Sequence, residues 1–311
     1  GLSHSKASEL FPLIQNKKVS EVILPGRGIS DKLDRRVDFA LHDLMGMILN
    51  QPVYKLIGNS GPKEVPIYSG MIYLDELNPG NETKGLDAIL ENCEWDYNYG
   101  YRQLKVKIGR SGRWYSHNKG LKKDIQVINL IYSAFKNRNT EILVDANDMY
   151  SLKDTIRFLK GVKDVPLYWV EEPFIEEYKA GEKLKKWMNK NGFEKTLYAD
   201  GERRPQFDVC LDLGQNQQMD VFLPDTYSHG FSAWLKLMPK LREIEMLASP
   251  HTWGNRLKTN YTAHLSAGLG NICTVEGVTC LSDDIDYGDY PIVDGKIKVS
   301  DAPGFGMKLL K

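Results

Sequence analysis

The chain has 311 residues, of which 41% are apolar, so it can build one large domain with a full hydrophobic core. Its 41 basic residues balance its 41 acidic residues, and the formal net charge of zero argues against nucleic acid or an anionic membrane as the main partner. No apolar run approaches the ~20 residues that are needed to cross a bilayer. The sequence therefore predicts neither nucleic-acid binding nor membrane attachment.

The number and spacing of the four cysteines favour a reducing compartment. They are Cys93, Cys210, Cys273 and Cys280, and no two of them form a C-x-x-C pair. A disulfide framework would be sparse in a chain this long, so we expect reduced thiols and a cytoplasmic location.

The predicted elements change in character near residue 62. Residues 1–60 have a mainly helical pattern, with a wide apolar stripe over 35–49, and a Gly- and Pro-containing segment at 58–62 ends this region. Residues 65–70 then form a candidate strand, and from there candidate strands and amphipathic helices alternate. The predicted helices are 124–137, 152–162, 178–189, 204–213, 231–244 and 257–267.

Seven short apolar runs end on a charged or polar side chain. Those ends are Lys107, Asp145, Glu171, Glu202, Asp225, His251 and Glu276, and they lie 23 to 38 residues apart, about one strand–helix unit each. Alternation of strands and helices implies parallel pairing through right-handed crossovers. With 65–70 there are eight strands, the number that closes a TIM-like barrel. A doubly wound open sheet is the alternative, but the 109–112 segment lacks its glycine-rich phosphate loop.

After Thr279 the sequence turns polar. Asp294-Gly295 predicts a hairpin turn between residues 290–293 and 296–299. Such a hairpin has no position inside a barrel, so we expect it to pack on the amino-terminal region as part of a second layer.

Three carboxylates end successive predicted strands. Asp145, Glu171 and Glu202 would converge on one side of the barrel mouth, where hard oxygen ligands suit Mg²⁺. The alternative is that each carboxylate only caps the helix that follows it.

Two lysines precede these carboxylates. Lys105 and Lys107 are two residues apart and face the same way on a strand. Repulsion between their ammonium groups would move one pKa towards neutrality, which makes Lys107 a candidate general base. The alternative is a pair of solvated lysines at an exposed strand end.

Asp225 and His251 end neighbouring strands. A carboxylate beside an imidazole fixes its tautomer and raises its basicity, which gives a second acid/base group. Glu276 could hydrogen-bond a substrate oxygen or form a structural salt bridge. The remaining histidines, His4, His42, His117, His229 and His264, have no such support.

Together these residues resemble the enolase superfamily, most closely its mandelate racemase subgroup. The match runs from about residue 35 to 303 and rests on the order and spacing of several short motifs. They are VDFALHDLMG at 37–46, PVYKLIG at 52–58, LKVKIG at 104–109, VDAN at 144–147, VEEP at 170–173, GE at 201–202, PD at 224–225 and SPH at 249–251. A Lys or His base with Mg²⁺ holding an enediolate is the general description of this superfamily, not a result for this chain.

The resemblance implies a role for each motif residue. Asp145, Glu171 and Glu202 would be the Mg²⁺ ligands. Lys107 would be one base, tuned by Lys105, and His251 with Asp225 the opposite acid/base group. Asn147 and Glu276 would contact the substrate or polarise its carboxylate.

The resemblance also implies an architecture. We expect a (β/α)7β barrel at 65–280, an α+β capping domain formed by 1–64, and a tail at 281–311 that returns to it, in a homo-oligomer. The amino-terminal part is shorter than the three-stranded meander and helical region of the family, so we expect either a truncated capping domain or further chain before residue 1, with residues 1–4 as the end of that meander. The Asp200-Gly-Glu202 stretch also offers two carboxylates, and Asp200 is a rival third ligand.

The expected function is proton abstraction α to a carboxylate, through an enediolate. The first hypothesis is an acid-sugar dehydratase, in which His251 protonates the leaving hydroxyl; the alternative is a racemase or epimerase of a 2-hydroxy acid that uses the same two bases. A zinc hydrolase would favour a His-x-His pair, which the sequence lacks. A non-catalytic barrel is the third hypothesis, and the full set of site residues argues against it.

Overall fold

A computed structural model of the chain describes residues 4–77, 80, 82–111 and 114–310. The amino-terminal region holds α1 (His4–Ile14), α2 (Val19–Val22), the antiparallel pair β1 (Ile23–Leu24) and β2 (Gly28–Ile29), a 3-10 turn at Arg35–Val37, α3 (Asp38–Leu49) and α4 (Val53–Leu56). This mainly helical start agrees with the sequence pattern. The expectation for residues 1–4 lies outside the described residues at 1–3, and His4 begins α1.

Eight parallel strands follow, separated by helices. The strands are β3 (Glu64–Ile72), β4 (Gln103–Lys107), β5 (Glu141–Asp145), β6 (Leu167–Glu171), β7 (Leu197–Asp200), β8 (Val221–Phe222), β9 (Leu247–Ala248) and β10 (Val275–Gly277). The helices are α5 (Leu86–Tyr99), α6 (His117–Phe135), α7 (Leu152–Gly161), α8 (Tyr178–Lys190), α9 (Phe207–Gln215), α10 (Thr226–His229), α11 (Phe231–Glu243) and α12 (Arg256–Leu269), with a 3-10 turn at Asp75–Leu77.

The strands pair in chain order. Each of β3 to β9 is hydrogen-bonded to the next, and β10 pairs in parallel with β3. An isolated parallel bridge between Ala248 and Ile272 links β9 to the segment that leads into β10. This order confirms the predicted TIM-barrel-type α/β fold.

Strand register sets the level of the charged side chains. Lys107 lies opposite Asp145 in the β4–β5 pair, and Asp145 lies opposite Glu171 in the β5–β6 pair. Because successive side chains of a strand alternate between faces, Lys105, Lys107 and Asp145 share one face of the sheet. The sheet thus brings three candidate site residues to the same height at one end.

The other positions of these strands build the core. Leu143 and Trp169 share an inner cluster with Tyr68, whereas Val106 and Val144 belong to the larger cluster between strands and helices. Each fully buried apolar side chain of this kind stabilises the fold by about 1.5–3 kcal/mol. The charged strand ends are therefore held by a well-packed frame.

Helix α5 is the longest element that the sequence pattern missed, and the short elements α10, β11 and β14 were missed as well. Helix α5 lies between β3 and β4, and of its residues Ala88, Ile89, Cys93 and Asp96 are buried. This face contains few large apolar residues, so its periodicity is weak. The six predicted helices after residue 120 are all present, with ends shifted by a few residues.

The carboxyl-terminal strands are β11 (Ile285–Asp286), β12 (Ile292–Val293), β13 (Lys296–Lys298) and β14 (Lys308–Leu309). The hairpin of β12 and β13 is confirmed, and Asp294 and Gly295 turn it with φ values of 45° and 73°. The hairpin meets the predicted amino-terminal region at the end of that region, where Lys298 pairs with Glu64. β13 pairs antiparallel with the first residues of β3, because these residues extend past the β4 and β10 pairings and leave an open strand edge.

The chain beyond the hairpin does reach the amino-terminal helices. The Phe305 amide donates to Asp43 Oδ1 of α3 at 2.7 Å, and Gly304 forms a bridge with Pro52. The division into capping and barrel regions remains a prediction. The four cysteines are unpaired, as expected. Among the described residues, no helix is long and apolar enough to cross a membrane.

Candidate active site

Three carboxylates meet at the carboxyl ends of β5, β6 and β7. Asp145 and Glu171 are the last residues of their strands, and Glu202 follows β7 by two residues. One oxygen atom from each lies within 4.8 Å of the others. Glu171 is buried, and its Oε2 atom has no hydrogen-bond partner. A buried, unpaired carboxylate oxygen among hard oxygen donors fits a divalent cation such as Mg²⁺.

The rival carboxylate, Asp200, faces away from this group. Its Oδ2 accepts a hydrogen bond from the Tyr198 hydroxyl at 2.7 Å, and its Oδ1 accepts one from the Gly201 amide at 2.8 Å. Burial raises the pKa of Asp200 well above its ordinary value. Gly201 has φ 99°, and a side chain there would collide with the Phe222 ring. This glycine turns the chain so that Glu202, and not Asp200, joins the other two carboxylates.

Lys105 lies among carboxylates in the barrel interior. Its Nζ is 2.9 Å from Glu171 Oε1, 3.0 Å from Glu276 Oε1 and 3.4 Å from Asp145 Oδ2. The side chain is only 1% exposed, so the alternative of a solvated lysine is excluded for this position. Burial lowers the pKa of Lys105, but the surrounding carboxylates outweigh burial and raise it well above its ordinary value.

Lys107 contacts Asp145 and donates to Asn147 Oδ1 at 2.8 Å. Burial and the charge of Lys105 lower its pKa, yet the charge of Asp145 more than compensates and the pKa is raised overall. The prediction that repulsion between the two lysines dominates is therefore wrong. Sequence spacing showed the lysine pair, but not how close the carboxylate of the next strand would come.

His251 joins the carboxylate group to Asp225. Its Nδ1 lies 3.1 Å from Asp225 Oδ2, and its Nε2 lies 3.0 Å from Glu202 Oε1 and 3.6 Å from Glu276 Oε2. Burial lowers the pKa of His251, but the charge of Glu276 and the hydrogen bonds to Asp225 and Glu202 raise it to about 10.

Asp225 is fixed by the start of α10. Its Oδ1 accepts hydrogen bonds from the Tyr227 and Ser228 amides at 3.0 and 2.7 Å, as an N-cap residue. Its Oδ2 is left to face His251. Asp225 therefore both caps a helix and orients an imidazole, a capping role that the sequence did not predict for this residue.

The two expected substrate contacts also lie in this cluster. Glu276 pairs with Lys105 and accepts from the Thr252 amide at 2.6 Å, so the structural salt bridge is present. Asn147 has φ 43°, and its amide donates to Asp145 Oδ1 at 2.9 Å. One connected network therefore contains every residue that the sequence predicted, namely Lys105, Lys107, Asp145, Asn147, Glu171, Glu202, Asp225, His251 and Glu276.

Two neighbours were missed. Lys258, in the first turn of α12, donates to Asp225 Oδ2 at 2.8 Å. Glu172 accepts from the Glu202 amide at 2.9 Å, and burial and the charge of Glu202 raise its pKa to about 8. Helical periodicity gives no sign of the first contact. The adjacent carboxylates Glu171 and Glu172 could have indicated the contact of Glu172 with the Glu202 amide.

Known proteins share this fold and these motifs. The family described as enolase C-terminal domain-like matches residues 88–311. Arabinonate dehydratase of Saccharolobus solfataricus is 24% identical over 96% of this chain and 75% of its own length. A magnesium complex of a mutant of galacturonate dehydratase from a Geobacillus species superposes with a TM-score of 0.91 at 28% identity, over all of this chain and 81% of that one.

A second solved structure is similar to the same extent. It is a mandelate racemase/muconate lactonizing protein from Geobacillus sp. Y412MC10 in complex with magnesium and tartrate, with a TM-score of 0.90 and 28% identity over 99% of this chain and 81% of that one. The family match covers most of the chain. The residues of the site motifs lie at or just after the carboxyl ends of the barrel strands. The chain therefore belongs to the enolase superfamily, in its mandelate racemase subgroup.

Proposed function

We propose that this protein is a Mg²⁺-dependent acid-sugar dehydratase, a hydro-lyase that eliminates water from a sugar acid. The observation that carries the proposal is that two acid/base groups reach the carboxylate cluster from different strands. Lys107 of β4 contacts Asp145, and His251, which follows β9, contacts Glu202. Similarity to arabinonate dehydratase and galacturonate dehydratase supports a sugar acid as substrate.

Asp145, Glu171 and Glu202 would hold the metal. When bound, Mg²⁺ would supply positive charge to the carboxylate of the substrate as an enediolate develops. Lys105, Asn147 and Glu276 border this position and would orient the same carboxylate. Each of these residues already has a partner, because Lys105 pairs with Glu276 and the Asn147 Oδ1 atom accepts a hydrogen bond from Lys107.

Lys107 would remove the proton from the α-carbon in its neutral form, which a cation held at Asp145 would favour by offsetting the attraction of that carboxylate for the ammonium proton. Its Nζ is held between Asp145 and Asn147, so the amine is aimed at the cluster. The electron pair of the broken C–H bond forms the enediolate, which then expels the β-hydroxyl. His251 would protonate that hydroxyl through Nε2, and water leaves. The enol product tautomerises to a 2-keto-3-deoxy acid.

Asp225 would keep His251 in the correct tautomer. Its Oδ2 faces Nδ1 at 3.1 Å, which directs Nε2 towards the carboxylate cluster. A carboxylate in this position stabilises the protonated imidazole and holds the ring in place.

The same two bases would also suit a racemase or epimerase of a 2-hydroxy acid. The specific observation in its favour is that Lys107 and His251 reach the carboxylate cluster from strands that are not paired with each other, so one could remove a proton and the other return it. In that case the product keeps its hydroxyl, and no 2-keto acid forms.

A screen of sugar acids tests the proposal. Purified protein with Mg²⁺ should convert at least one acid to a 2-keto-3-deoxy product, detected as its semicarbazone. Chelation with EDTA should abolish turnover, and added Mg²⁺ should restore it. Lys107→Met and His251→Asn should each lose turnover. Product formation that survives both substitutions would contradict the roles given to these residues.

We also propose that the enzyme is a cytoplasmic homo-oligomer with a capping region at 1–64, a barrel at 65–280 and a tail at 281–311. The contact of Phe305 with α3 supports a tail that returns to the capping region. Light scattering would measure the oligomeric state, and a monomer would contradict this part of the proposal.

A further inference from the structure

Arg110 is a buried arginine that lies three residues beyond the candidate base Lys107. Its side chain is fully buried, and its Nη1 atom donates to the Lys107 carbonyl oxygen at 3.0 Å and to Asp124 Oδ1 at 2.8 Å. Its Nε and Nη2 atoms donate to the two carboxylate oxygens of Glu76. The guanidinium group therefore has three partners, and one of them is the carbonyl group of the last residue of β4.

The two carboxylates that pair with Arg110 are buried as well. Glu76 belongs to the 3-10 turn after β3 and its side chain is 2% exposed, and Asp124 of α6 is fully buried. Replacing buried ion pairs by well-packed apolar side chains is often neutral or even favourable for stability. Stability alone therefore does not account for three buried charges here. A forked guanidinium group also fixes the direction and distance of its partners.

Asp124 holds the turn that follows β4. Its Oδ2 atom accepts hydrogen bonds from the Gly109 amide at 3.0 Å, the Arg110 amide at 3.2 Å and the Tyr150 hydroxyl at 2.7 Å. Gly109 has φ 92°, a backbone conformation that favours glycine. The chain directly after Lys107 is thus tied to one buried carboxylate through two backbone amides and through the side chain of Arg110.

Tyr150 extends this network to the segment that follows β5. Its hydroxyl donates to Asp124, and its amide donates to the Pro173 carbonyl oxygen at 3.0 Å. Asn147, which accepts a hydrogen bond from Lys107 Nζ, lies three residues earlier in the same segment. The network therefore reaches both the backbone of Lys107 and the segment that carries a partner of its ammonium group.

We propose that Arg110 is a positioning residue that fixes the backbone of Lys107 and so aims its amine at the α-carbon of the substrate. The inference rests on the proposed function, in which Lys107 is the base. The lysine side chain is a flexible four-carbon stem, so its amine is aimed only while its backbone and its partners are held. A displacement of about 1 Å between reacting groups can slow a reaction by about 10²-fold. Loss of the Arg110 contacts therefore acts on proton transfer rather than on metal binding.

Arg110→Lys tests the proposal by steady-state kinetics with the sugar acid that the enzyme converts best. Lysine keeps the positive charge, but its single nitrogen cannot span the three partners of the guanidinium group. We expect kcat to fall by about 10- to 100-fold, while KM and the affinity for Mg²⁺ stay within about threefold. The kcat value is referred to the concentration of protein that binds Mg²⁺, so a loss of folded enzyme does not lower it. A kcat within about twofold of the wild-type value would overturn the proposal.

Arg102→Lys is the matched control at the opposite end of β4. Arg102 donates to the Tyr97 and Tyr101 carbonyl oxygens at 3.0 and 2.7 Å and pairs with Asp294. Its substitution removes the same kind of contacts far from the amine of Lys107. We expect a lower unfolding temperature and a kcat within about twofold of the wild-type value. Equal losses of kcat in the two arginine variants would contradict a positioning role.

Tyr150→Phe is a second variant, which should fold even if Arg110→Lys does not. It removes only the hydroxyl that donates to Asp124 and keeps the ring, which packs on Phe158 with centroids 5.9 Å apart. We expect kcat to fall by about three- to tenfold with KM unchanged. A fall in KM-independent turnover that is absent here would show that the network does not act on the base.

Crystal structures of the wild type and Arg110→Lys compare the position of Lys107 without turnover. In the variant we expect its Nζ atom to lie at least about 1 Å from the wild-type position and outside hydrogen-bond distance of Asn147 Oδ1. An unmoved Lys107 would reject the inference whatever reaction the enzyme catalyses. A displaced Lys107 in a protein that dehydrates no sugar acid would retain the positioning network and reject the dehydratase.

Discussion

The Nε2 atom of His251 lies 3.0 Å from Oε1 of Glu202, so the acid/base histidine and the third carboxylate of the candidate metal cluster are in direct contact. The two residues follow β9 and β7, which are not paired with each other. Their contact shows that the segments after the strands, rather than the strands themselves, complete this half of the site. Any ligand bound at the carboxylates would lie within reach of the imidazole.

Glu202→Gln should weaken Mg²⁺ binding by at least about tenfold, because it removes the charge from one of the three proposed oxygen ligands. Asp200→Asn is the matched control two residues away. Asp200 is hydrogen-bonded to Tyr198 and Gly201, so its substitution should leave Mg²⁺ affinity within about threefold. Isothermal titration with Mg²⁺ measures both. A larger loss for Asp200→Asn than for Glu202→Gln would reverse the assignment of the third ligand.

Lys105→Met should destabilise the protein in the absence of divalent cations. It leaves the buried carboxylates Asp145, Glu171 and Glu276 without their shared ammonium partner, and breaking such a pair costs about 3–5 kcal/mol. Mg²⁺ should restore part of this loss, because it replaces positive charge at the same carboxylates.

Thermal unfolding with and without Mg²⁺ tests the Lys105 prediction. Lys185→Met provides the control, since Lys185 pairs with Asp220 away from the cluster and its loss should not respond to Mg²⁺. A stability loss in Lys105→Met that is the same with and without Mg²⁺ would show that the ion does not bind next to Lys105.

Asp225→Asn should lower kcat by about 10²- to 10⁴-fold with little change in KM, since an amide no longer fixes the tautomer of His251. Lys258→Met removes the second partner of Asp225 Oδ2 and leaves the contact with His251. We expect a loss of about tenfold or less there. Steady-state kinetics with the best sugar acid compares the two variants, and equal losses would mean that the tautomer is not the cause.

His264 makes the fold sensitive to acid. Its Nδ1 accepts from the Tyr54 amide at 3.1 Å, its Nε2 lies 2.6 Å from the Tyr290 hydroxyl, and burial lowers its pKa to about 3. In the unfolded chain the pKa is about 6.5. Between these values the unfolded chain binds the extra proton, so stability is fully present above pH 6.5 and is lost as the pH falls.

This linkage amounts to about 2 kcal/mol between pH 6.5 and 4.5. His264→Gln should be less stable than the wild type at pH 7, and the difference in the free energy of unfolding should shrink by that amount at pH 4.5. Urea unfolding of both proteins at the two pH values measures it. A difference that does not change with pH would mean that His264 is protonated in the folded state.

The sequence predicted the fold, and it pointed to nine residues that the structure brings together, because the alternation of strands and helices is a local pattern. Contacts between distant segments are not local and could not be predicted in this way. The contact of Asp145 with Lys107 is set by the register of β4 against β5, which spacing alone does not reveal. It reversed the expected direction of the Lys107 pKa shift. In the same way, β13 pairs with β3 because an open edge lies there, and neither segment carries a local sign of the other.

The structure gives a physical reason why Glu202, which the Gly-Glu motif favoured, joins the other two carboxylates while its rival Asp200 does not. Both residues are carboxylates near the end of one strand, and only the turn at Gly201 separates their directions. Lys258 meets Asp225 because α12 begins next to α10, a contact between residues 33 positions apart in sequence. The resemblance favoured Glu202 through the Gly-Glu motif at 201–202, but it gave no sign of Lys258, which lies outside the motifs that matched.

The most direct test of the central claim is proton NMR of the reaction in D₂O with Mg²⁺ and a sugar acid that the enzyme converts. The account predicts a 2-keto-3-deoxy product with deuterium at C3, formed only when Mg²⁺, Lys107 and His251 are all present. Deuterium at the α-carbon of a sugar acid that keeps its hydroxyl groups, with no 2-keto product, would contradict the dehydratase and identify a racemase or epimerase.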